Sequence, residues 1–128
     1  MIPRADIARD LVVVACAISA GVHAALAPEH FADGTAAGAG FVAAAAGLAG
    51  AAVALTVRPT SAAALRGSAL LLAGLLVTYT LAVTSGLPVL HPTPEPLDGV
   101  AVVTKAIEAA GLVAAAQLLV PHPKGTLT

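Results

Sequence analysis

Imidazoles and carboxylates recur in this sequence at places where the surrounding residues are almost wholly apolar. His23, Glu29, His30 and Asp33 fall in one stretch, His91, Glu95 and Asp98 in a second, and Lys105 with Glu108 in a third. Imidazole nitrogen combined with carboxylate oxygen suits borderline metals such as zinc or copper. The same groups, set in an apolar medium, mark ion pathways and proton relays. We therefore read His23, Glu29, His30 and Glu108 as a candidate metal set, and Lys105, Glu108, Asp98 and Tyr79 as a candidate relay or ion-pair set.

Each of these residues has a plainer reading beside the functional one. Lys105 and Glu108 stand at i,i+3 and can neutralise each other as a structural pair. His23 can serve as hydrogen-bonded glue between helices, and Asp98 as the N-cap of a following helix. His91 lies in the Pro-rich run Leu90-His91-Pro92-Thr93-Pro94-Glu95-Pro96, where solvation alone accounts for it. His122 and Lys124, close to the C-terminal end, need no role.

The rest of the composition removes whole classes of function. With 59% apolar and only 10% charged residues among 128, the chain cannot cover a soluble domain, which carries about 25% charge. Two Phe, one Tyr and no Trp leave no stacking platform for bases, and a net charge of −1 offers nothing to phosphate, so nucleic acid is excluded. Cys16 is the sole cysteine, which rules out an intrachain disulfide and any cysteine-based zinc site. It reads as a small hydrophobe within an apolar run. There is no nucleotide loop, HExxH motif or nucleophile–base pattern, so the sequence leans away from an enzyme.

The elements that must position the polar residues are membrane helices. A bilayer core of about 30 Å needs roughly 20 apolar residues as helix. Residues 11–28 carry no formal charge and are interrupted only by His23; residues 34–57 and 67–90 are equally uncharged; residues 99–120 are apolar apart from Lys105, Glu108 and Gln117. The expected fold is all-α, a four-transmembrane-helix bundle forming one integral membrane domain over residues 1–128. Arg4, Arg9, Arg58, Arg66 and Lys124 flank one set of ends, while Glu29, Asp33, Glu95 and Asp98 occupy the other two loops. Positive charge marks the cytoplasmic side, which predicts a multi-pass protein of the plasma membrane with both termini cytoplasmic. Small residues four apart in the second span (Ala36 and Gly40, Ala43 and Gly47, Ala46 and Gly50) suit close packing in the bundle, in a homo-oligomer or in a membrane-complex subunit.

Topology gathers the chemistry. His23, Glu29, His30, His91, Glu95, Asp98, Lys105, Glu108 and Tyr79 all belong to the outward half. His23 and His30 are seven apart, one helical face but about 10 Å along the axis. Pro28 disfavours helix at Ala27, so the span is expected to end there, with Glu29 and His30 in a turn folded over the bundle mouth. At 100° per residue, Asp98, Lys105 and Glu108 share one face within about 80°. A His23–Glu108–Tyr79 pocket beneath a Glu29/His30 lid follows.

The pattern of His23, Pro28-Glu29-His30-Phe31, Gly40-Phe41, Gly86-Leu87-Pro88, Pro94-Glu95-Pro96 and Glu108 resembles an uncharacterised family of small four-helix membrane proteins of high-GC bacteria. The resemblance spans most of the chain. Its pattern has an acidic residue about seven before the Glu, where this chain has Ala101. It implies no established activity, and it points to the same His and Glu residues. Three functions remain open on these grounds: an outward metal or small-ligand site, a transporter or proton-relay subunit, and an accessory subunit of a larger membrane complex.

Overall fold

The computed structural model describes Met1 and residues 3–121; His122 and Lys124 lie outside the described residues. Four helices follow one another: α1 (Arg4–Asp33), α2 (Thr35–Val57), α3 (Ala62–Thr84) and α4 (Gly99–Leu119). The chain is all-α, as expected, and all four helices are long and apolar enough to cross a membrane. The 23 residues of α2 span about 35 Å at 1.5 Å per residue, close to the hydrocarbon thickness.

Local signals set most helix ends. Asp98 caps α4, its carboxylate accepting from the Ala101 N–H at 2.9 Å. Ser61 caps α3 by accepting from the Ala64 N–H at 3.2 Å. That cap starts α3 at Ala62 rather than at residue 67, so Arg66 lies inside the helix. The other end of α3 stops at Thr84, not at residue 90. Gly86 takes φ 74°, a left-handed conformation that a side chain resists. Leu87 and His91 then bridge to each other in a tight loop.

The largest departure from expectation is α1. Pro28 does not end it; the helix runs on to Asp33, placing Glu29 and His30 on helix rather than in a folded-back turn. Pro28 itself is exposed, so its missing N–H is a local loss. Tertiary packing on the opposite side outweighs it: Ala27 is buried, and the His30 ring stacks on Phe41 at 3.6 Å.

The helices form a four-membered ring in which α1 packs most closely against α2 and α4, while α2 and α3 meet least among neighbours. The core runs through Val12, Cys16, Leu48, Leu55, Leu72 and Ala115. Gly111 lets α4 approach α1, since a methyl group there would sit 2.5 Å from Ala15 Cβ. The small-residue pairs of α2 are largely turned outward, with Ala36, Gly40, Ala43, Ala46, Gly47 and Gly50 all exposed, although a methyl group on Gly47 would lie 3.3 Å from Leu71 of α3.

Polarity is distributed unlike that of a water-soluble bundle. Large apolar side chains face outward, Leu70 with 74% of its surface exposed and Val113 with 58%. Ser19, His23, Ser68, Thr104 and Glu108 are buried instead. Such an arrangement fits a multi-pass membrane protein, because hydrocarbon tolerates exposed Leu and penalises exposed charge.

Candidate functional site

The site is built outward from Glu108, which is completely buried on α4. Lys105, one turn earlier, donates to its Oε2 at 2.7 Å, and the lysine side chain keeps only 15% exposure. Ser19 of α1 donates its hydroxyl to Oε1 at 2.5 Å. Both carboxylate oxygens thus have a charge-assisted or hydroxyl donor, the condition under which a buried carboxylate is tolerated.

From Ser19 the network continues to His23. Its Nδ1–H donates to the Ser19 carbonyl at 2.8 Å, with the Ser19 hydroxyl oxygen 3.2 Å away. Two further histidines use the same device. His30 Nδ1–H donates to the Leu26 carbonyl at 3.0 Å, and His91 Nδ1–H to the Thr93 carbonyl at 2.8 Å. A carbonyl has no proton to give, so Nδ1 carries hydrogen in all three rings. In the neutral imidazole, Nε2 is then left as an acceptor.

These rings line a common cavity of about 260 Å³ at the end of the bundle where α1 joins α2 and α3 joins α4. Phe41 of α2 forms one wall, with His30 stacked on it and His23 tilted against it at 5.2 Å between ring centres. Leu75 and Tyr79 of α3, Lys105 of α4, and Leu90 with His91 of the loop between them complete the lining. The Lys105 ammonium lies 5.5 Å from the centre of the Tyr79 ring, within cation–π range. The Tyr79 hydroxyl is buried and has no hydrogen-bond partner among the described residues.

The expected site is therefore assembled in part. His23, Tyr79 and Lys105 meet at the cavity, and His23 reaches Glu108 through Ser19. His30 joins them by packing on Phe41 rather than from a lid. Glu29 does not: it sits exposed on α1. Asp98 is spent as the exposed cap of α4. Among the described residues, no three His, Cys, Asp or Glu side chains gather where they could hold a metal ion. The four-residue set His23, Glu29, His30 and Glu108 is not brought together.

Two participants escaped the sequence reading. Ser19 looks like any small residue of an apolar helix, although its position four before His23 is the spacing at which side chains meet on a helix. Phe41, noted only as part of a motif, is the ring on which both α1 histidines pack. No family model, curated protein or solved structure matches the chain, so the resemblance noted above stands on its motifs alone.

Proposed function

We propose that the protein is a multi-pass membrane protein, both termini on the cytoplasmic side, whose outward pocket binds a small, mostly apolar molecule. The observation that carries this reading is a 260 Å³ cavity lined by apolar side chains together with His23, Tyr79 and Lys105, with the Tyr79 hydroxyl buried and without a partner among the described residues. Leaving a buried hydroxyl unpaired costs about 1–3 kcal/mol, a cost that an oxygen atom on a bound molecule removes once the Tyr79 ring turns its hydroxyl towards the cavity. The ammonium of Lys105 spends one donor on Glu108 and keeps others for the same occupant. A cavity engineered at about 150 Å³ holds benzene, so this one admits a larger body. The dispersed carboxylates favour an organic occupant over a metal ion.

The test is native mass spectrometry of the protein released from its own membrane in lipid nanodiscs. The expected result is a discrete non-covalent adduct that disappears in Ala44→Trp, which fills the cavity, while helical circular dichroism is retained. An unliganded mass for the unaltered protein, or an adduct that survives Ala44→Trp, counts against the pocket.

A second reading has one observation in its favour. Lys105, Glu108, Ser19 and His23 form a hydrogen-bonded chain that leaves the cavity at Lys105, passes through the buried Glu108 and Ser19, and returns to it at His23. These are buried ionisable groups of the kind that proton relays use. Proton flux into liposomes that is lost in both Ser19→Ala and Glu108→Gln is the expected behaviour of such a relay. Flux that persists in both variants removes it.

A further inference from the structure

The pocket has two boundaries, and they differ in kind. Towards the loop end it is roofed by the connection between α3 and α4. That connection is tied down rather than draped: the Glu95 N–H donates to the Ala82 carbonyl at 2.9 Å, and Leu87 and His91 exchange backbone hydrogen bonds at 2.6 and 2.7 Å. Leu90 and His91 of this strapped segment line the cavity. The lateral boundary is the seam between α2 and α3, the least closely packed pair of neighbouring helices. Gly40 on α2 and Thr78 on α3 both line the cavity and are both exposed on the outside of the bundle. Only a hydrogen atom and a short side chain separate the interior from the surroundings there. Thr78 gives its hydroxyl to the Gly74 carbonyl at 2.8 Å, which leaves its methyl group as the remaining side-chain surface and makes the seam apolar.

The polar groups inside restrict what can enter. The charge of Lys105 is already met by Glu108 at 2.7 Å, so no uncompensated cation waits for an anion. Glu95 also lines the cavity and disfavours a carboxylate, while Lys105 disfavours an amine. Donors remain on Lys105 and Tyr79, and acceptors on the Nε2 atoms of His23, His30 and His91. A hydroxyl group, which both gives and receives, satisfies this set without bringing a charge into the membrane.

Building on the pocket reading above, we infer that the cavity is filled from the bilayer through the α2–α3 seam. Its occupant is an uncharged amphiphile, a hydroxyl head held among Lys105, Tyr79 and His23 with a hydrocarbon tail leaving between Gly40 and Thr78.

The experiment uses the full chain in lipid nanodiscs with three photoactivatable diazirine probes: hexadecanol, palmitate and the water-soluble butanol analogue. Labelled peptides are mapped by mass spectrometry. Hexadecanol is expected to label the segments holding Phe41 and Tyr79 more strongly than palmitate. That labelling is lost in Gly40→Trp and in Thr78→Trp, which block the seam at exposed positions, and it is retained in Val103→Trp on the outside of α4. Hexadecanol labelling unchanged in both seam variants overturns entry from the bilayer. So does butanol labelling of the pocket that the seam variants leave intact; in that case the pocket stands and its mouth faces water. Palmitate labelling equal to that of hexadecanol overturns the uncharged head. Labelling that survives Ala44→Trp lies outside the cavity and defeats the pocket reading itself, as does the absence of labelling by every probe.

Discussion

Glu108 depends on its partners because packed side chains surround it on all sides. Its carboxylate has no exposure, and the compensation comes from Lys105 at 2.7 Å and Ser19 at 2.5 Å. Removing one member of a buried pair strands the other charge, at a cost of about 3–5 kcal/mol, whereas replacing both by apolar groups is often neutral. Lys105→Met should therefore lower the thermal midpoint in detergent sharply, and Lys105→Met combined with Glu108→Leu should recover most of the loss. Circular dichroism at 222 nm reads both. A double variant no more stable than the single one would show that Glu108 is held by something other than its lysine. Spacing made this pair legible in the sequence, since i,i+3 charges in an apolar helix have few other ways to survive. Ser19 was not legible, because a serine in a membrane helix can satisfy itself on its own backbone, as Ser68 does with the Ala64 carbonyl. The free Tyr79 hydroxyl was beyond reach for the same reason: which polar atoms end without partners is decided by the packing of α3 against α2 and α4.

Helix number and the limits of α2 and α4 could be read from the length of the apolar runs, because a bilayer admits few other solutions. The limits of α1 and α3 could not. A local rule about the residue before proline gave way to the burial of Ala27 and the stacking of His30 on Phe41, and a serine cap moved the start of α3. The small-residue pairs of α2 are largely turned outward, Gly47 meeting Leu71 of α3, for what decides helix approach is which face meets a neighbour. In this bundle Gly111 has that role, with Ala15 Cβ 2.5 Å from where its own methyl group would lie and Leu72 at 3.3 Å. Gly111→Val should push α4 away from α1 and cost about 1–3 kcal/mol, the usual penalty of overpacking. Gly50→Ala is the matched control: a methyl group there meets nothing within 4 Å, and the gain in helix propensity is worth up to about 1 kcal/mol. Equal thermal midpoints for the two variants would mean that α1 and α4 do not touch at this point.

At the scale of the whole molecule, two independent features agree on how the bundle would sit in a membrane. The outward-facing side chains are apolar while the buried ones include Glu108 and His23, so the surroundings that suit this surface are hydrocarbon. The ends are also unequal: Arg4, Arg9, Arg58 and Arg66 collect at one, and Glu29, Asp33, Glu95 and Asp98 at the other. Basic residues are retained on the cytoplasmic side, which in the orientation proposed above would turn the cavity away from the cytosol. Single cysteines read this directly, because the native Cys16 is fully buried and silent towards a polar reagent. In intact cells a membrane-impermeant maleimide should modify Glu29→Cys and Pro96→Cys, both exposed positions, and should reach Arg58→Cys only after permeabilisation. The opposite pattern would turn the pocket to the cytosol while leaving its chemistry intact. Modification of Glu29→Cys and Arg58→Cys alike in intact cells would put the two ends of α2 in one compartment. The exposed leucines and valines would then need cover from another protein rather than from lipid.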